Sequence, residues 1–156
     1  MSKSAHNCGT VVAVCRSDGG IPKVPQDVVH VTEAGITGDG HDHAKHNKNT
    51  RALSLFDEEI LLQLRSEGYD LLAGSIGENV LLRGVLVQQM PPGTLLQLGE
   101  VTIRLEEPRK PCFVLDAIDP KLKDEITGRC GYMASVVRGG RIKPGDPVTG
   151  VVPVLQ

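Results

Sequence analysis

The sequence has 156 residues, 40% of them hydrophobic, and a formal net charge of −2, which fits one globular domain with a single substantial core. Acids and bases are mixed along the chain, so it carries neither the basic footprint of a nucleic-acid binder nor that of a protein held on an anionic membrane. The start Met-Ser-Lys-Ser-Ala-His-Asn-Cys lacks an apolar signal core and no apolar run approaches membrane-spanning length, so a cytoplasmic location is expected.

Eighteen Gly and ten Pro imply many turns and a strand-rich fold rather than a helix bundle. The first apolar run, Thr10 to Cys15, is β-rich and ends in the turn-forming Ser17-Asp18-Gly19-Gly20. Val28 to Val31 reads as a second strand, with Pro22 and Pro25 before it marking a loop or edge approach. From Glu33 to Thr50 glycines, histidines and polar residues dominate, and a long surface loop is predicted.

Arg51 to Phe56 alternates like a strand. A helix follows, with Asp57 as its cap, Phe56 and Leu61 at hydrophobic-staple spacing, an apolar stripe of Ile60, Leu61 and Leu64, and Gly68 as its stop. Ala73 to Asn79 is a glycine-punctuated loop leading into Val80-Leu81-Leu82. Leu95 to Leu98 and Val101 to Leu105 flank Gly99-Glu100, a hairpin with a glycine-first turn. Asp119 to Ile126 is a weak helix; Met133 to Val137, Arg141-Ile142 and Val148 to Leu155 are short strands. The whole chain, 1–156, reads as one domain, mainly β with a few helices: a barrel or sandwich carrying helical insertions.

Chemistry concentrates at Pro108-Arg109-Lys110-Pro111-Cys112. Two prolines stiffen the segment, and two cations between them favour the thiolate of Cys112, the form that attacks electrophiles and binds soft metals. A helix starting with Pro111 near its first position would add its dipole. The competing reading is a small buried hydrophobe. Cys8, Cys15, Cys112 and Cys130 have neither Cys-x-x-Cys spacing nor disulfide-scaffold density, so free thiols are expected.

Two other loops carry polar candidates. His41, His43 and His46, with Asp39 and Asp42, allow either a solvated loop or a metal site, the latter implying a zinc hydrolase. Glu78 in Gly77-Glu78-Asn79 is either a general base or cofactor-orienting carboxylate, or a solvated turn residue. The serine-hydrolase elbow and the Gly-Lys-Ser/Thr phosphate loop are both missing.

The ordered set Gly35-Ile-Thr-Gly-Asp-Gly-His41, Arg51-Ala-Leu-Ser-Leu, Glu67-Gly68, Gly74-Ser-Ile-Gly-Glu-Asn79, Gly84, Gly93, Gly99, Pro108-Arg-Lys-Pro-Cys112, Gly131-Tyr and Gly145-Asp146 resembles the MOSC domain. That family takes its name from the carboxy-terminal domain of molybdenum cofactor sulfurases, and the likeness covers roughly residues 10 to 150. The resemblance implies a compact β-barrel whose glycine-loop cleft binds molybdenum cofactor, with Cys112 as molybdenum ligand or persulfide carrier. Arg109 and Lys110 are then expected at the thiol and the cofactor phosphate, and Asp39, His41, Glu78, Asn79, Gly38, Gly77 and Arg51 around the ligand. The expected partners are a sulfur-donating cysteine desulfurase, a cofactor-synthesis protein or a redox partner; no pyridoxal phosphate is expected in this chain. The alternatives are a non-catalytic adaptor for cofactor synthesis, or a molybdenum-dependent reductase module acting on N-hydroxylated compounds.

Overall fold

The computed structural model describes residues 5–40 and 49–151. In chain order its elements are β1 (Ala5–Arg16), β2 (Val24–Gln26), β3 (Val29–Thr32), β4 (Gly35–Ile36), β5 (Leu53–Asp57), α1 (Glu58–Ser66), β6 (Val80–Arg83), β7 (Leu95–Leu98), β8 (Val101–Pro108), α2 (Leu122–Glu125), β9 (Tyr132–Arg138), β10 (Gly140–Ile142) and β11 (Pro147–Val151). Seven strands pair in the order β11-β7-β8-β9-β5-β6-β1, and β1 pairs back onto β11, closing a barrel. The mainly-β barrel with helical insertions is therefore what the chain forms. Closure removes the free edges that an open sheet would expose.

β5 and β6 run parallel, while the other pairs are antiparallel. A parallel pair needs a crossover, and α1 supplies it. Valine and leucine fill the interior, including Val11, Val14, Leu53, Leu55, Leu98 and Ile103. A second core lies outside the barrel wall, where Phe56, Leu81 and Cys15 meet Leu61 and Leu64 of α1, Leu122 of α2 and Leu115. Phe56 and Leu61 thus pack together in the same core, as the staple spacing predicts. Each of these large side chains contributes about 1.5–3 kcal/mol by leaving water. The register of β1 against β6 shifts between Val11 and Ala13, so Val11 and Val14 face inward while Ala13 and Cys15 face the outer core.

Several expectations need correction. Arg51 to Phe56 does not alternate in exposure: all of β5 is buried, because one face fills the barrel and the other faces the outer core and the cleft floor. Asp57 stands at the cap position of α1 but makes no side-chain cap bond there. Its carboxylate accepts instead from Val87 N at 2.9 Å and Gln88 N at 3.0 Å, and burial raises its pKa. The stretch around Pro25, read as a loop or edge approach, resolves to the edge: Val24–Gln26 is a strand on the end of β1. Residues 33–50 are not wholly surface loop, since Gly35 and Ile36 form buried β4 against β3. The Asp119–Ile126 helix shrinks to the single turn of α2. Among the described residues no helix is long and apolar enough to cross a membrane.

Candidate functional site

The segment 20–23 leading into β2, the 37–40 turn, the start of β5, the 74–79 turn and the segment after β8 meet at one end of the barrel. Together they enclose a cleft of about 280 Å³.

Its floor is a hydrogen-bonded knot centred on Asn79. The Asn79 side-chain amide donates to Asp39 Oδ2 at 3.0 Å and Cys15 O at 3.2 Å, while its Oδ1 accepts from Ser54 N at 3.0 Å. Ser54 Oγ accepts from Asn79 N at 3.0 Å. Asp39 Oδ1 accepts from Ser17 N at 3.0 Å, and Oδ2 pairs with Lys23 Nζ at 2.6 Å. These groups are buried and partnered, so they fix three loops relative to one another. Asp39 is the anchor of the arrangement: its side chain is only 3% exposed.

The wall after β8 carries the reactive candidates. Arg109 N donates to Gly131 O at 2.8 Å, extending the β8–β9 pairing one step past Pro108. The Arg109 guanidinium crosses to the 74–79 turn, where Nη2 donates to Ile76 O at 2.7 Å; Nη1 is buried with no partner. Cys112 is exposed at the mouth. It does not open an α-helix: it is the residue before a five-residue 3₁₀ turn, Phe113–Ala117, too short to bring a helix dipole to bear. Phe113 beside it is 70% exposed.

Of the residues expected around a ligand, Asp39, Arg51, Gly77, Asn79, Arg109, Lys110 and Cys112 all line this cleft. Two others stand elsewhere. Gly38 packs on the Arg16 guanidinium, outside the cleft lining. Glu78 lies buried behind the wall: Oε2 accepts from Gly74 N at 2.7 Å, Oε1 has no partner, and burial pushes its pKa up to about 6. His41, His43 and His46 lie outside the described residues. Glycines 35 and 74 serve packing of backbone on backbone, against Ala52 O and Lys23 O.

Sequence reasoning missed Lys23, Ser54 and the apolar lip of Ile21, Val114 and Met133. Nothing in the neighbours of Lys23 marks it; the bond of Lys23 N to Gly74 O, 2.8 Å, and the pairing of its Nζ with Asp39 bring it to the site. The sequence held a clue to Ser54, a polar side chain set between Leu53 and Leu55 in a strand-like run.

Among the described residues Lys23, Arg51, Arg109 and Lys110 line the cleft against one lining acid, Asp39. Such a surface draws anions, and the unpartnered Arg109 Nη1 is a buried donor that an anionic oxygen would satisfy. Among the described residues no three His, Cys, Asp or Glu side chains converge to hold a metal. Cys112 therefore offers a single soft ligand, suited to a metal that arrives with the rest of its ligands on a cofactor. The donors present fit an anionic, metal-bearing cofactor in this respect.

The comparisons with known proteins agree with this architecture. A protein named "Reductase" from Gibberella moniliformis is 30% identical over 132 residues, which are 78% of this chain and 23% of that protein. "Protein YiiM" from Escherichia coli is 28% identical over 127 residues, 76% of this chain and 57% of that one. The chain thus spans between about a quarter and three fifths of the length of these curated relatives. The crystal structure of YiiM from Escherichia coli superposes with a TM-score of 0.72 at 24% identity, covering 94% of this chain and 72% of that one, and so attests the fold. The family model of the MOSC domain matches residues 42–149, and the chain belongs to the MOSC domain family.

Proposed function

We propose that this domain binds a molybdenum cofactor in the cleft, with the Cys112 thiolate facing the metal and Arg109 and Lys110 receiving the cofactor's phosphate. The carrying observation is the exposed Cys112 thiol beside a cationic wall whose Arg109 Nη1 has no partner. When bound, such a cofactor supplies redox and sulfur-ligand chemistry that protein side chains lack. The chain's own work is then to bind and orient. Arg109 and Arg51 neutralise anionic oxygens, the Asp39–Asn79 knot holds the floor rigid, and Phe113, Ile21 and Met133 keep an apolar lip over the thiol. In this reading Gly38 and Glu78 support the walls from behind.

A second reading is favoured by the exposure of Cys112 and Phe113 at the mouth, where a protein donor can reach them. Here Cys112 carries sulfur. Its thiolate attacks the sulfane sulfur of a donor cysteine persulfide and displaces the donor thiolate, exchanging one S–S bond for another with no net oxidation. A cysteine desulfurase or cofactor-synthesis protein is the corresponding partner. The printed name of the fungal relative supports the alternative of a reductase module; N-hydroxylated substrates and a separate redox partner are what the family resemblance adds to that alternative.

The test is to produce the protein in a host that makes the cofactor, then measure bound molybdenum by elemental analysis and Cys112 persulfide by mass spectrometry. Cys112→Ser is expected to remove persulfide and strongly reduce molybdenum while the fold persists. Molybdenum lost with no persulfide ever detected selects the cofactor-binding role; persulfide without molybdenum selects the carrier. Neither species on the wild-type protein, with a cofactor-synthesis partner still copurifying, would leave the adaptor reading and overturn both.

A further inference from the structure

Two buried atoms of opposite charge are left without hydrogen-bond partners at the same turn. Glu78 Oε1 and Arg109 Nη1 both lie on or against residues 74–79, where Gly74 N takes the other Glu78 oxygen and Ile76 O takes the other Arg109 nitrogen. Glu78 is 1% exposed. A buried carboxylate in this position is held ionised by the backbone amides of the turn and by the attraction of Arg109 across it. The other titratable groups around it are the thiols of Cys15 and Cys130, which burial keeps neutral. Beyond Cys15 lies the Lys23–Asp39 pair, whose charges offset each other. Arg109 is therefore the one uncompensated charge that Glu78 feels among the described residues.

We propose that Arg109 and Glu78 form a proton-linked oxyanion subsite, in which seating an anionic oxygen on Arg109 drives Glu78 to take up a proton. The inference rests on the anion-binding reading above and adds its regulation. The physical step is a redistribution of charge. An oxyanion on Nη1 cancels the guanidinium field, and the Glu78 carboxylate, already disfavoured by burial, loses its only charged support. It binds a proton from solvent, which offsets one unit of the negative charge that the oxyanion brings. No bond other than O–H forms. With an unliganded pKa of about 6, the carboxyl is mostly ionised at neutral pH and has a proton to gain. Linkage then requires oxyanion affinity to fall as pH rises above that value, by at most about tenfold per pH unit for one proton. An anionic ligand would be held at lower pH and released toward higher pH without any change of fold.

The ligand chemistry is a tetrahedral oxyanion oxygen, borne either by a free inorganic anion or by a phosphate-type ester. The experiment follows the Glu78 side-chain carboxyl by carbon NMR on labelled protein from pH 4.5 to 8.5, with and without saturating sulfate. Sulfate keeps its charge throughout, so any pH linkage belongs to the protein. Its midpoint, near 6 alone, is expected to move up with sulfate, and Arg109→Met is expected to abolish the movement. Glu78→Gln is expected to bind sulfate with no pH dependence over that range. If amide shifts at residues 109–112 show sulfate bound while the Glu78 midpoint stays put, the proton linkage is wrong and the anion subsite stands. If sulfate perturbs nothing at Arg109, both fall together. Repeating the titration with an alkyl sulfate separates the sources: tighter binding of the ester assigns an ester-borne oxygen, tighter binding of free sulfate assigns an inorganic anion.

Discussion

The side-chain amide of Asn79 lies 3.0 Å from Asp39 Oδ2, joining residues 40 positions apart at the floor of the cleft. The same amide group reaches Cys15 O, and its oxygen takes Ser54 N, so one side chain satisfies three separate segments. Replacing Asn79 by Ala leaves Ser54 N–H and Cys15 O without these partners in a buried place. An unsatisfied buried polar group costs about 1–3 kcal/mol. Asn79→Ala is expected to lower stability by about 2–4 kcal/mol, read as a lower denaturant midpoint with an unchanged slope. A midpoint within error of wild type would mean that water replaces the lost bonds.

The raised pKa of Glu78 makes a signed prediction about stability. Burial moves it from 4.5 to about 6, so the folded chain holds this proton at pH values where the unfolded chain has lost it. The folded state then binds more protons between those two values, and stability falls as pH rises through them. Above about pH 6 the full cost applies, of order 2 kcal/mol for a shift of this size. Glu78→Gln should raise stability at pH 7 and flatten the profile between pH 4.5 and 6. Denaturant melts of both proteins across that range check it; parallel profiles would show that Glu78 is better solvated than its 1% exposure implies.

Cysteine reactivity separates the cleft from the core. Cys112 is exposed, whereas Cys15 and Cys130 are buried and desolvation pushes both thiols up, that of Cys15 to about 12. The thiolate is the reacting form. At pH 8 iodoacetamide is expected to label Cys112 in native protein, and Cys15 and Cys130 only after denaturation. Peptide mass spectrometry reads each site, and native labelling of Cys130 ahead of Cys112 would contradict this geometry.

What could be read from the chain follows the range of the forces involved. The β7–β8 hairpin was legible because alternating burial of Val101, Ile103 and Leu105 and the positive φ of Gly99 are local properties. The outer core and the true partners of Asp57 were not, since they depend on where β6 and the 87–88 backbone return in space. For the site, the Arg109–Cys112 motif and the Asp39 and Asn79 loops were visible as unusual clusters of turn residues and polar side chains. Their division of labour was hidden. Asp39 and Asn79 bond to each other and to Lys23, whereas Glu78, one residue from Asn79, turns away from the cleft, and no local pattern separates the two.

Gly74 is where backbone conformation and close approach coincide. Its φ is +86°, and a Cβ there would stand 2.0 Å from Lys23 O and 3.3 Å from Cys15 Sγ. The contact cannot be relieved by a side-chain rotation, because Lys23 N is bonded to Gly74 O at 2.8 Å and the two backbones are locked together. Gly68, with φ +107° and nothing within 4 Å of its would-be Cβ, isolates the conformational part of the cost. Gly68→Ala is expected to lose about 1–2 kcal/mol from the strained φ alone. Gly74→Ala should lose more, at least about 3 kcal/mol, because the Lys23 segment must also shift. It should also pull Lys23 away from Asp39 and weaken sulfate binding at the cleft, an effect that Gly68→Ala should not share. Equal losses of stability in the two variants, with sulfate binding intact in both, would show that the 20–23 segment yields freely and that the ion pair does not depend on the Gly74 contact.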